Sequence, residues 1–164
     1  MRHIDIVLVS VNLPILCGIY ENDVLIEQIR SDDLLLSSLP RIFEPFIPTA
    51  DNIASKHKIV DSVYYANGPG SFSALKLTHI FLHTLSAVYN IKLFATSSFY
   101  FANSDYIKAF GSSYFYRDVN TGEITLVQNI AQNARTKCEF SLPHVLDKKE
   151  FSDSTQPLYI LPPV

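Results

Sequence analysis

The stretch Asn67-Gly68-Pro69-Gly70-Ser71-Phe72-Ser73, with the run Ala74 to Asn90 behind it, constrains the fold more than any other part of the sequence. Two glycines around a proline specify a tight turn whose backbone enters conformations closed to other residues. Ser71 or Ser73 then stands where an N-cap accepts a bond from an orphan N–H, so a helix is predicted to start there. At about 100° per residue, Ala74, Leu75, Leu77, Phe81, Leu82, Leu85, Val88 and Tyr89 share one broad face, as in a helix packed on a core. Lys76, His79, Ile80, His83, Ser86, Ala87 and Asn90 fall opposite, with a single permanent charge among them. A solvated helix face normally carries more, so this one is expected to meet another protein.

Upstream, Ile4 to Val9, Ile15 to Tyr20 and Val24 to Arg30 are β-branched and apolar runs broken at Asn12-Leu13-Pro14 and Glu21-Asn22-Asp23, which predicts a three-strand antiparallel meander. Ser31-Asp32-Asp33 offers an N-cap and first-turn acids to a helix carrying Leu35, Leu36, Leu39, Ile42, Phe43, Phe46 and Ile47, with Pro40 and Pro45 as interruptions. After a polar connection from Thr49 to Lys58, Ile59 to Ala66 reads as a strand running into the Gly-Pro-Gly turn. Ile91 to Thr96 reads as another, and Ser97-Ser98 as the cap of a helix reaching about Ser104. The order β-β-β-α-β-α-β-α predicts an α/β fold: a mixed five-stranded sheet with helices on both sides, as in ribonuclease-H-like folds and each lobe of the actin-like ATPases.

From Tyr106 the text changes. Tyr114 to Tyr116, a turn at Asp118 to Gly122, and Ile124 to Val127 read as a hairpin; about thirty residues of little periodicity follow, and Pro157 to Pro163 closes in an extended form. Residues 1–104 are therefore expected to form a complete first lobe, and 105–164 a truncated second lobe with an extended tail.

A chain of 164 residues should bury roughly 70% of its unfolded surface, enough for a core without staples. Hydrophobic residues make up 48% and charged ones 18%, with a formal charge of −3, and no basic run exceeds Lys56-His57-Lys58. Independent nucleic-acid binding is disfavoured. Cys17 and Cys138 sit in no CxxC pair and are expected to be reduced, in a cytoplasmic protein. Residues 4–20 are greasy, but Asp5, Ser10, Asn12 and Pro14 interrupt them too early for a membrane helix, and Asp5 falls where a signal peptide would be apolar.

Catalytic chemistries fit poorly. A two-metal nuclease needs converging carboxylates, whereas only Asp5 lies on the first strand and the fourth ends in Tyr65-Ala66-Asn67; Asp5 is expected to be a solvated or sheet-end residue. An actin-like kinase needs an acid in the turn after the first strand, which here reads Val9-Ser10-Val11-Asn12: a hydroxyl without the acid. The Gly-Pro-Gly turn could cradle an anion at a helix start, yet it matches neither GxxxxGK[ST] nor GxGxxG. His79 and His83 share a helix face without the Glu of HExxH or an evident third ligand, so a half-buried or partner-covered pair is the stronger reading, and no metal is expected. Ser10, Ser71 and Ser97 lack a GxSxG context.

The segment VDSVYYANGPGSFSALKLTHIFLHTLSAVYNIKLFATSSF resembles the TsaB (YeaZ) family, whose members carry GPGSFTGLRIG, a long helix, a GIPL turn and a GVSSL strand end. Gly68, Pro69, Gly70, Ser71 and Phe72 are identical to that motif, while Ser73, Ala74, Lys76 and Leu77 replace its Thr, Gly, Arg and Ile. Leu39-Pro40 is similar to the family's LLP helix, and Pro157 to Leu161 to its terminal PxYLR. The family's first-turn DTS/T is absent, and its DAR-GE stretch falls near Lys108 to Gly111, so the second lobe is both shortened and altered. The resemblance implies a non-catalytic, actin-like scaffold of the bacterial machinery that makes N6-threonylcarbamoyladenosine at position 37 of tRNAs. Its partners would be the catalytic paralogue TsaD, the ATPase TsaE, and tRNA only through the complex. TsaD-type proteins carry an HxxxH motif whose aligned positions here are Ser98 and Ala102, which favours TsaB.

The expected partner interface is Gly68, Pro69, Gly70, Ser71, Phe72, Leu75, Lys76, His79 and His83 with Leu39 and Phe43 of the preceding helix. No cofactor is implied for this chain alone, and ATP or ADP, if bound, would sit at the partner interface. The rivals are an actin-like enzyme, either a small-molecule kinase or a peptidase-like hydrolase, and a homodimer using the same helix face.

Overall fold

The computed structural model describes residues 2–48, 58–128 and 138–160; nearly all of the polar connection, residues 129–137 and the last of the extended close, Leu161 to Val164, lie outside the described residues. Strands β1 (Arg2–Val9), β2 (Ile15–Glu21) and β3 (Val24–Ser31) form the antiparallel meander, and β4 (Lys58–Ala66) and β5 (Lys92–Thr96) add in parallel to give the order β3-β2-β1-β4-β5. The β2–β3 turn closes through Asn22 and Asp23, both at positive φ, a backbone these two residue types tolerate and hairpins favour. β1 is central and covered on both faces, which is why its sequence is almost continuously apolar rather than alternating.

Helices α1 (Leu35–Phe43) and α2 (Phe72–Tyr89) both pack on the face that presents Ile4, Ile6 and Leu8, and meet where the Phe43 and Phe81 rings lie 5.3 Å apart, edge to face. The expectation of helices on both faces is corrected here. The third helix is a single 3-10 turn, Ser98–Phe101; the Ser97 hydroxyl does accept from the Phe99 amide, but Ala102 then pairs with Phe140 and the helix goes no further. One turn cannot cover a five-stranded sheet. The caps differ as well. Ser31 ends β3, its hydroxyl paired with Ser38, and Leu34 precedes α1 without a side-chain cap or a first-turn acid. Pro40 lies inside α1, which stops at Phe43 and continues as a 3-10 turn, Glu44–Phe46.

A second, antiparallel sheet contains the expected hairpin, β7 (Ser113–Arg117) and β8 (Ile124–Gln128), plus β6 (Tyr106–Lys108), a strand too short to show a periodicity. In the β7–β8 turn the Asp118 carboxylate accepts from the Asn120 and Thr121 amides.

Of the remaining described residues, 138–160, the stretch through Ser152 returns to the first sheet as a strap over its helix-free face, and the stretch from Thr155 reaches α2 and the turn before it. The Ser141 amide donates to the Phe101 carbonyl, the Tyr20 hydroxyl to the Pro143 carbonyl, and the Leu146 amide to the Asp23 carbonyl. Lys148 then bridges Asp5 at 3.3 Å and Asp23 at 3.1 Å. Asp5 is therefore not solvated: its side chain is 16% exposed beneath that ammonium. Burial holds its carboxyl above the usual range, and Lys148 opposes the shift. Leu146 and Phe151 fill the layer over Val7, Val9 and Tyr64, and Ser152 pairs with Ala95 on edge strand β5. Both cysteines are free thiols; burial pushes Cys17 up to about 12.

Candidate functional site

The turn between β4 and α2 is fixed from three sides. The Asn67 amide donates to the Thr96 carbonyl, the Ser98 amide to the Gly68 carbonyl, and the Ser71 amide to the Val11 carbonyl at 3.0 Å. The chain passes so close to the turn after β1 that a Cβ on Gly70 would lie 2.5 Å from the Val11 Cβ and 2.7 Å from its carbonyl oxygen. Ser71 occupies the N-cap position in an extended conformation, but its hydroxyl turns to Ser73 and caps nothing, contrary to the expected side-chain cap. Ser10, standing where an actin-like enzyme would lead into an acid, is buried with its hydroxyl 2.7 Å from that of Thr78, tying β1 to the middle of α2.

Leu75, Thr78, Leu82 and Leu85 form the buried stripe of α2, flanked by half-buried Ala74, Leu77 and Phe81. Val88 and Tyr89, expected inside, are exposed, because Asn90 ends the helix in a left-handed conformation and turns Ile91 into the core instead. The outward face of α2 shows Ser73, Lys76, Ile80, Thr84, Ala87 and Val88; Ile80 is 52% exposed and Lys76 is its one permanent charge. Beside it α1 exposes Leu36 and Arg41, the latter held by Asp33 at 2.7 Å.

The expected interface residues divide into three groups. Ser71, Phe72 and Lys76 are exposed, and His79 and His83 are half-buried. Gly68, Pro69 and Gly70 are buried as the hinge of the turn. Leu39, Phe43 and Leu75 are core residues, at 2%, 1% and 3% exposure, and so present almost no surface, which corrects their assignment to an interface. Their apolar spacing signalled burial correctly but not against what. Ile80 was legible as the apolar exception on the outward face of α2, whereas Leu36, expected with the apolar residues of the first helix, is 74% exposed.

The end of the strap is the part of the site that spacing did not reveal. The Tyr65 hydroxyl donates to the Thr155 carbonyl at 3.1 Å, the Asn67 side-chain amide to the Gln156 carbonyl at 2.9 Å, and the Leu158 amide to the Asn67 carbonyl at 2.7 Å. Gly68, at φ +130°, has no room for a Cβ against the Leu158 carbonyl. The Tyr159 and Phe72 rings meet edge to face at 5.4 Å, and the Thr155 hydroxyl lies 3.2 Å from His83 Nε2. Burial, and then neighbouring His79, hold the His83 imidazole below its usual pKa.

A cleft of about 580 Å³ opens between the two sheets, lined by Asn12, Leu13 and Pro14 of the turn after β1 and by Arg30, Lys108 and Glu139. Among the described residues no three His, Cys, Asp or Glu side chains are placed to hold a metal ion, and no helix is long and apolar enough to cross a membrane.

No protein-family model and no curated protein sequence matches the chain. Solved structures do. YeaZ from Pseudomonas aeruginosa superposes with a TM-score of 0.55 at 13% identity over 77% of this chain and 65% of its own. An uncharacterised protein with similarity to peptidase YeaZ, also from P. aeruginosa, gives 0.50 at 13% identity over 77% and 64%. The chain thus spans just under two thirds of the length of either protein. The mixed β3-β2-β1-β4-β5 sheet, its two helices and the Gly-Pro-Gly turn build the actin-like, ribonuclease-H-like fold of YeaZ, with a second sheet of three short strands.

Proposed function

We propose that this chain is a TsaB-type scaffold, a non-catalytic subunit that docks a TsaD-like catalytic subunit through the outer face of α2 and the adjoining surface of α1 and supports tRNA threonylcarbamoyladenosine synthesis. The observation that carries this reading is an 18-residue helix on a YeaZ-like fold whose outward face holds one charge, Lys76, and exposes Ile80 and Val88. Isolated exposed apolar residues are ordinary, but a charge-poor helix face beside an exposed leucine of α1, Leu36, has the character of the central part of an interface. A TsaE-like ATPase would join the pair, and tRNA would be contacted only through the complex, in keeping with the chain's net charge of −3.

The enzyme reading is less supported. The turn after β1 has no carboxylate, and its hydroxyl, Ser10, is already engaged with Thr78. Reconstituted tRNA modification with TsaD-like and TsaE-like subunits, with and without this chain, tests the proposal. Product should form at least about ten-fold faster with it, and equal rates would remove the scaffold role.

A further inference from the structure

The end of the strap is held by uncharged groups, and one of its residues, Thr155, meets an imidazole. The His79 and His83 rings, one helical turn apart, lie 4.1 Å centroid to centroid. Among the described residues, buried His79 Nδ1 has no hydrogen-bond partner, and His83 Nε2 meets only the Thr155 hydroxyl. We propose that His83, stacked beside His79, is an acid-sensitive latch: with the His83 ring neutral the strap seats on α2 and the Gly68-Pro69-Gly70 turn, and uptake of a proton there releases residues 155–159.

Among the described residues, the groups around the pair provide no counter-charge. Helix α2 contains no Asp or Glu, and its one cation is Lys76, about one turn before His79. From β4 comes the Tyr65 hydroxyl, which shares Thr155 with His83 and is itself pushed up to about 12 by burial. From α1, the Phe43 ring, an uncharged group, meets α2 at Phe81. From the strap, Thr155 to Ile160 hold no acid and one titratable group, Tyr159, which is turned to Phe72; Asp153 is exposed two residues upstream. Burial first, and the neighbouring His79 second, hold the His83 imidazole below its usual value.

An imidazolium donates from both nitrogens, and here the seated strap supplies a single hydroxyl as acceptor. A charge on both rings would also place like charges one turn apart. Water reaches the pair fully only when the strap leaves, so the released state binds protons more readily than the seated one. By linkage, acid then favours release. The sign is that of a base whose pKa is depressed in the closed state: the latch is intact above the released-state pKa and weakens as pH falls below it. With an ordinary imidazole value of about 6.5 for the released state and one proton taken up, opening increases up to about eight-fold between about pH 7 and about pH 5.5.

The measurement is amide hydrogen exchange on the full chain, corrected for intrinsic rates. The Leu158 amide, bonded to the Asn67 carbonyl, reports the latch, and the Ser141 amide, bonded to the Phe101 carbonyl at the strap's other end, is the reference. Leu158 should lose protection about three- to eight-fold between those pH values while Ser141 stays level, and His83→Gln should flatten the Leu158 response. A level Leu158 in the native sequence, or a drop that persists in His83→Gln, would overturn the latch. Should His83→Gln fail the folding check by circular dichroism, the His83 imidazole resonance of the native chain decides. Its titration midpoint must coincide with that of Leu158 opening, and a separation of more than about half a pH unit refutes the coupling.

Discussion

Replacing Gly68 by Ala should lower the stability of the chain by about 3 kcal/mol or more, a fall in Tm of about 6–12 °C. Two effects add. At φ +130° the residue sits in a backbone region that side chains rarely enter, and the new methyl would run into the Leu158 carbonyl, a backbone atom that can move only if the strap moves. Gly122 separates the two contributions. It is also at positive φ, +73°, but nothing lies within 4 Å of a Cβ built there, so Gly122→Ala should cost only the left-handed strain, about 1–2 kcal/mol. Thermal unfolding of both variants checks this; equal losses would mean that the strap does not press on the turn.

Phe151→Ala should be as damaging, at about 3–5 kcal/mol. Its ring is 8% exposed and packs edge to face on Tyr64 at 5.1 Å and on Tyr100 at 5.5 Å, in the layer that replaces a helix on the second face of the sheet. Truncation leaves a cavity bounded by Val7, Tyr64 and Phe101, which β-strands cannot collapse to fill. Urea unfolding should show the loss as a lower midpoint with an unchanged slope. Were residues 138–160 a loosely attached tail, the same substitution would cost less than about 1 kcal/mol.

These two residues mark the boundary between what the sequence disclosed and what it withheld. The meander, the parallel β4 and β5 and the α2 helix follow from local patterns: β-branched runs, Asn22-Asp23 at the hairpin, Gly68-Pro69-Gly70 before an apolar stripe. The strap has no such pattern. Its contacts join Pro143 to Tyr20, Leu158 to Asn67 and Thr155 to His83, and extended backbone that pairs with distant partners imposes no period on its own residues. For the same reason the second face of the sheet was assigned a helix. Ser97 supplies a genuine cap, but Ala102 finds Phe140 as a strand partner, a competitor that lies far along the sequence.

In the candidate site, residue type was legible and direction was not. Leu39, Phe43 and Leu75 were apolar for the sake of the core. His79 and His83 were rightly placed on one face of α2, yet the group that His83 meets, Thr155, comes from the chain itself. Ile80 follows from asking which apolar positions the inward stripe leaves over, and the same question put to the first helix picks out Leu36.

The docking claim rests on that outward face, and calorimetric titration of a TsaD-like subunit with the native chain and with Ile80→Asp tests it most directly. Ile80 is half-exposed and outside every core cluster, so the variant should keep its Tm. A carboxylate forced into an apolar contact without a partner should weaken binding by about 100-fold. Micromolar or tighter association of the native chain, lost to that extent in Ile80→Asp, is the predicted result. Equal affinities for the two, or no heat of binding from the native chain at tens of micromolar, would contradict it.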